Sequence, residues 1–211
     1  MSHNITNKIS KLTILCFFFL NSCTTTMVDR TVKFNKDKVL STISAVDSSF
    51  NDLESLLYVD IKNQNMYLLN KGTILKGFKV SSSYYGTGSK VNSLKTPLGK
   101  HEIYKKIGKD LPINAILKGR VWSGAIANVI TEDIDTDFDH VTSRILWLDG
   151  LEIGKNKGPG VDSRSRYIYI HGTAEEGLIG RPASDGCIRM YNTDVIDLFD
   201  LVNEKVQVWI Y

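Results

Sequence analysis

His171 and Cys187 lie sixteen positions apart, and each stands beside a glycine, Gly172 and Gly186. A thiol becomes a strong nucleophile as its thiolate, and a neighbouring imidazole both lowers the thiol pKa and carries its proton. Such a pair is the minimum equipment of cysteine acyl transfer. Gly186 lets the backbone turn tightly and leaves amides near the sulfur open to a substrate oxygen. Donors of that kind typically contribute ~2.7–4 kcal/mol each to an oxyanion. Gly172 removes a side chain that would crowd the same cleft. Arg189, two residues past Cys187, shares its face if the segment is extended, and a guanidinium there suits a substrate carboxylate.

Taken singly, a cysteine is usually a small buried apolar residue, and a lone histidine is usually structural. It is the spacing and the flanking glycines that single this pair out. The other histidines are poorer candidates. His3 falls in the leader, His101 opens a strand with no partner in sight, and His140 sits in an acidic loop.

The elements that must position the pair follow from the pattern around it. Tyr167-Ile168-Tyr169-Ile170 reads as a strand that delivers His171 at its end, and a Gly/Pro-rich turn returns the chain to Cys187. Upstream, Leu57–Ile61 and Met66–Leu69 flank a turn-rich tip and predict a hairpin, with a third strand over Ile74–Ser81. Three strands with no helix between them argue for an antiparallel sheet. Further strands are expected at His101–Tyr104, Ile145–Leu148 and Val206–Ile210. Residues 107–143 are hard to assign, with Val121–Ala125 a possible strand and five acidic residues between Thr131 and Asp139 marking a surface loop. Asn192 or Thr193 is expected to cap a short helix through Leu201. The architecture is mostly β, with one or two short helices.

The first residues resemble a secretory signal. Lys8 and Lys11 precede the apolar run Leu12–Leu20, which is far below the ~20 residues that span a bilayer. The run ends in Leu20-Asn21-Ser22-Cys23, similar to a bacterial lipoprotein cleavage site. On that reading residues 1–22 are removed and Cys23 is lipidated. A plain signal peptide or an uncleaved anchor is the alternative. Thr24 after the cysteine favours the outer membrane over the inner one. Cys187 is then the one thiol of the mature domain and has no disulfide partner. Of the 26 basic residues, only Lys8 and Lys11 precede Cys23, leaving 24 against 23 acidic. That balance gives no argument for nucleic-acid binding. Residues 23–54 read either as a solvated tether or, through Val39, Leu40, Ile43, Val46 and Phe50, as a short helix packed on the domain. The globular domain is set at residues 55–211.

Ile170-His171-Gly172-Thr173 and Ser184-Asp185-Gly186-Cys187-Ile188-Arg189-Met190 closely resemble the signature of the L,D-transpeptidase catalytic domain, the YkuD-like family. Thr96-Pro97-Leu98-Gly99 and the opening strand pair resemble that family as well. The resemblance implies a β-sandwich acting on peptidoglycan stem peptides, with no metal or organic cofactor. Cys187 would attack a tetrapeptide stem at the bond to its terminal D-amino acid, and His171 would take the thiol proton. The Gly172 carbonyl would orient the imidazole, and Ser184 would join Gly172, Gly186 and Arg189 around the substrate. The thioester would pass to an amine or to water, so an L,D-carboxypeptidase is the nearest alternative. A non-catalytic peptidoglycan-binding lipoprotein is the more distant one. In one respect the chain departs from the pattern. The family usually carries a histidine two positions before the cysteine, where this chain has Asp185.

Overall fold

The computed structural model describes residues 32–211. The leader and Cys23 lie outside the described residues. Strands β1 (Leu56–Asp60), β2 (Asn65–Asn70) and β3 (Thr73–Ser81) run antiparallel in sequence order. They are followed by β4 (Gly99–Ile107), the hairpin β5 (Ala115–Lys118) and β6 (Val121–Ile126), and β7 (Val141–Gly150). Then come β8 (Tyr169–Thr173), β9 (Ile188–Met190) and β10 (Gln207–Ile210). Two α-helices complete the set, α1 (Lys36–Val46) and α2 (Asn192–Leu201).

The strand order is β4-β10-β1-β2-β3-β9-β8-β7-β5-β6, and β4 also pairs with β7. Eight strands therefore form a closed circuit, a sandwich joined at both edges, from which the β5–β6 hairpin hangs. Closure removes the unpaired edges that an open sheet would expose.

The central strands are buried on both faces, which explains their continuous apolar runs. Leu57, Val59, Met66, Leu68, Val208 and Ile210 point into the interior with Ile170, Ile188 and the apolar face of α2. The alternate positions Leu56, Tyr58, Tyr67, Leu69 and Trp209 face the opposite way and need a second cover. Helix α1 and the short turn after it supply that cover, with Ile43 and Phe50 in the outer cluster. The Asn35 side chain accepts the Lys38 N–H at 3.0 Å and caps the start of α1. At its end, Asp47 pairs with Lys100, whose Nζ lies 4.5 Å above the Trp209 ring. The described part of residues 23–54 is therefore a packed layer rather than a solvated tether. The structural unit begins upstream of residue 55.

Other differences have local causes. His171 lies in the middle of β8, because Tyr167 adopts φ +57° and the strand starts only at Tyr169. Asn192 is the first residue of α2 and Tyr191 is its N-cap. His101 is fully buried, with its ring nitrogens 3.0 Å from the Gly99 carbonyl and from Ser163 Oγ. It is thus a structural histidine, and burial pushes its pKa down to about 4.

Ile43→Ala removes the residue that seats α1. Equilibrium urea unfolding should show a loss of about 2–4 kcal/mol, the cost of a truncated aliphatic core residue. A loose tether would lose less than about 0.5 kcal/mol, as exposed substitutions do.

Candidate active site

Strands β8 and β9 run parallel in the register Ile170↔Ile188, His171↔Arg189 and Gly172↔Met190. Paired residues in a ladder share a face, and so do residues two apart on one strand. Cys187 precedes β9 by one position, so His171, Arg189 and Cys187 project to one side of the sheet. The imidazole and the thiol are diagonal neighbours, about 4.8 Å apart across the strands and about 6.6 Å along them at the backbone.

The segment carrying the thiol is held by its own polar atoms. Ser184 Oγ donates to the Cys187 carbonyl at 2.6 Å and accepts the Gly186 N–H at 3.2 Å. Thr96 Oγ1 donates to the Gly186 carbonyl at 3.1 Å and accepts the Ser83 N–H at 2.9 Å. Gly186 sits at φ +121°, a backbone state that a side chain would strain. The threonine of the Thr96-Pro97-Leu98-Gly99 element thus braces the cysteine turn. Ser184 shapes the same turn and already holds the Gly186 N–H.

Cys187 is half-buried. Its Sγ accepts the Tyr169 N–H at 3.4 Å and lies 3.5 Å from the Tyr167 carbonyl. Burial pushes the thiol up to about 12; the Tyr169 N–H, Arg166 and Arg189 favour the thiolate, and Asp139 opposes it. His171 is 1% exposed, and its Nδ1 lies 2.7 Å from the Gly172 carbonyl. A carbonyl only accepts, so Nδ1 carries the proton and Nε2 of the neutral ring is the free base. Burial holds His171 below its ordinary pKa, against the raising effects of Asp139 and of the Gly172 bond. The resting pair is a neutral imidazole and a protonated thiol, and deprotonation belongs to the attack itself.

The strand beneath is locked by a buried polar network that sequence reasoning missed. The Asn192 Nδ2 donates to the Thr173 carbonyl at 2.7 Å and to Glu176 Oε1 at 2.9 Å. Its Oδ1 accepts from Thr142 and Ser143, each at 2.6 Å. A Cβ on Gly172 would stand 2.6 Å from Asn192 Oδ1 and 2.9 Å from the Thr142 carbonyl. Gly172 is thus required by close packing as well as by its carbonyl. The neighbouring acids Glu175 and Glu176, set in a glycine-bearing turn just after the histidine, were the signal available.

Arg189 is buried rather than open. Its Nη1 pairs with Glu175 at 2.5 Å and reaches Asp139 at 3.4 Å, while Nη2 donates to the Ala183 carbonyl at 2.5 Å. Glu175 also accepts the Thr136 N–H and hydroxyl, at 2.7 and 2.6 Å, and so fastens the acidic loop to β8. Asp185 is exposed beside the cysteine. Burial of its carboxyl group, followed by Asp139, raises its pKa.

Comparison with known proteins follows the same lines. The family profile of the L,D-transpeptidase catalytic domain matches residues 54–210. The L,D-transpeptidase-type protein YkuD of Bacillus subtilis (strain 168) is 35% identical over 65 residues, 28% of this chain and 40% of that protein. An L,D-transpeptidase structure from Mycobacterium smegmatis aligns over 75% of this chain and 58% of its own, at 15% identity and TM-score 0.45. L,D-transpeptidase 3 from Mycobacterium tuberculosis aligns over 75% and 61%, at 13% identity and TM-score 0.46. The chain thus spans less than two thirds of each of these relatives.

A protonated resting thiol has a measurable consequence. Since the Cys187 pKa is raised from 9.0 to about 12, alkylation by iodoacetamide should keep accelerating as pH rises past 9. A plateau near neutral pH, followed by mass spectrometry of the Cys187 peptide, would instead reveal a preformed thiolate–imidazolium pair.

Proposed function

The chain belongs to the L,D-transpeptidase catalytic domain family, and we propose that it is a peptidoglycan L,D-transpeptidase of the bacterial cell envelope. The observation that supports this reading is the parallel pairing that sets His171 beside Arg189, two residues past Cys187, with the imidazole Nδ1 on the Gly172 carbonyl.

In this mechanism a tetrapeptide stem lies against Cys187 with the carbonyl of its third residue at the sulfur. His171 Nε2 takes the thiol proton as sulfur attacks, and the imidazolium returns it to the departing terminal D-amino acid. The C–N bond breaks and a thioester forms. An amine then attacks the thioester carbonyl, giving a 3–3 crosslink or attachment of an envelope component. Proton transfer of this kind contributes typically 10²–10⁴-fold. With a free pKa near 12, the thiol depends on this base for attack at neutral pH.

For localisation, we propose that residues 1–22 are cleaved and that Cys23 carries lipid, anchoring the domain at the periplasmic side of the outer membrane.

Incubation of the purified protein with muropeptides should yield 3–3 dimers by mass spectrometry, and a carbapenem should acylate Cys187. Cys187→Ala should abolish both. Tripeptides without dimers would mean hydrolysis, and unchanged products in Cys187→Ala would remove the enzymatic reading. Lipidation has its own check: metabolic labelling with a radioactive fatty acid should mark the wild-type protein and not Cys23→Ala. An unlabelled wild-type chain would leave a plain signal peptide.

A further inference from the structure

Helix α1 does not close the outer face of the sheet along its whole length. Past the cluster around Ile43 and Phe50, two rows of paired residues cross β1, β2 and β3 on that face. One row is Tyr58, Tyr67 and Gly77, and the next is Asp60, Asn65 and Lys79. A groove of about 390 Å³ lies over them, walled by residues 33–35 and by α1. Gly77 lets the lead-in segment sit this close. A Cβ there would stand 3.1 Å from the Phe34 ring and 3.2 Å from Val32 Cβ. The Phe34 ring in turn meets Tyr67 edge-on at 4.9 Å. This groove shares no residue with the Cys187 site.

The lining is basic and holds polar atoms without partners. Lys33, Lys38 and Lys79 stand against the single carboxylate of Asp60, three positive charges to one negative. None of the three lysines is ion-paired among the described residues. Asp60 is itself engaged by the Asn63 side chain and N–H, at 2.6 and 3.0 Å. On the floor, Asn65 is 7% exposed, and its Oδ1 is buried without a hydrogen-bond partner among the described residues. Its Nδ2 donates to the Tyr67 hydroxyl at 3.2 Å. Turning the amide over would only move the deficit to the nitrogen, so one end of Asn65 calls for a partner from outside. Having accepted that bond, the Tyr67 hydroxyl keeps its own proton to give. Tyr58 beside it is also buried and lines the same groove. Burial raises the pKa of both phenols, that of Tyr58 to about 12, so both remain donors at neutral pH.

We propose that this groove is a binding site for a phosphate ester that carries a free hydroxyl, of the glycerol phosphate type. A phosphate monoester bears about −1.5 to −2 charge at pH 7, which matches the excess of two positive charges in the lining. Its oxygens only accept, and so suit the ammonium groups and the two phenols. They offer nothing to Asn65 Oδ1, which needs a donor, and the hydroxyl of the ligand supplies one. A soluble glycerol or sugar phosphate presents this chemistry, and so does the glycerophosphate headgroup of a membrane lipid. The site goes beyond the peptidoglycan chemistry proposed above and does not depend on it. Lys33 lies ten residues after Cys23, at most ~36 Å of extended chain. With Cys23 lipidated, a headgroup is within reach of the groove.

Calorimetric titration of the purified full-length protein in detergent with sn-glycerol 3-phosphate should show one saturable site. Inorganic phosphate should bind about tenfold more weakly, for want of the hydroxyl, and glycerol alone should give no heat. Lys79→Ala should weaken the ester about tenfold, as one partly screened charge does, and Lys79→Arg should stay within about threefold of wild type. Asn65→Ala should bring the ester down to the affinity of inorganic phosphate. Lys118→Ala removes an exposed lysine outside the groove and should change nothing. Flotation with phosphatidylglycerol vesicles against phosphatidylcholine vesicles separates the two sources, because the lipid anchor contributes equally to both. A Lys79-dependent preference for phosphatidylglycerol assigns the headgroup, and binding of the soluble ester without that preference assigns a free phosphate ester. Absence of both overturns the proposal. So does equal affinity for inorganic phosphate and the ester, or a loss in Lys118→Ala as large as in Lys79→Ala. None of these outcomes bears on Cys187, whose chemistry is read by the muropeptide products.

Discussion

The site depends on one buried ion pair, Arg189 with Glu175, each 1% exposed. A charge taken out of water must be paired and hydrogen-bonded, or the fold pays a penalty of several kcal/mol. Here that demand ties four segments together. Arg189 belongs to β9, and Glu175 lies just past β8 in sequence. Ala183 opens the cysteine turn, and Thr136 holds the acidic loop on Glu175. No single segment can shift without stranding a charge. Because β9 is three residues long, its backbone ladder alone would position Cys187 weakly. The ion pair makes up that deficit.

The same arrangement decides the electrostatics of the reacting pair. Arg189 shares a face with His171 and favours its neutral form, while Asp139 works in the opposite direction. Around Cys187 both arginines favour the thiolate, yet burial outweighs them. A cysteine that stays protonated at rest is less exposed to oxidation, since the thiolate is the reactive species. On the proposed mechanism the chemistry is conditional on a base whose Nδ1 is held by a backbone carbonyl. Precision in that carbonyl explains why Gly172 is hemmed in by Asn192 and Thr142: the peptide that orients the imidazole has no room to rotate.

What the sequence made legible was the chemistry, because Cys, His, Gly and Pro are rare enough in combination to be read locally. The parallel pairing of β8 and β9 sets His171 near the cysteine turn, in the middle of its strand rather than at the end, and Thr96 braces that turn. Strands β1 and β2 were readable because both their faces are buried along most of their length. Of the hairpin β5–β6 only Val121–Ala125 was readable as a possible strand, since β6 is exposed along its whole length and carries no burial alternation. Asn192 was read as a cap because asparagine at a helix start ordinarily is one; its burial, which turns it into a clasp between β7 and β8, is a tertiary fact. Arg189 was placed on the correct face, but Glu175 is fourteen positions away in sequence and becomes its partner only through the parallel register of β8 and β9. The cover provided by α1 was likewise open, because Tyr58, Tyr67 and Trp209 declare an unmet outer face only once the sheet exists.

Asp185 gains meaning from this geometry. A histidine at that position would place a second titratable base near the thiol. Aspartate instead puts a carboxylate into both a cavity lined by Asp135, Asp137 and Asp139 and a cavity lined by Arg166. Since His171 already has its tautomer fixed and its Nε2 free, proton transfer requires nothing from position 185. On the proposed mechanism the aspartate bears on which charges the cleft accepts, and the acid–base chemistry is left to His171.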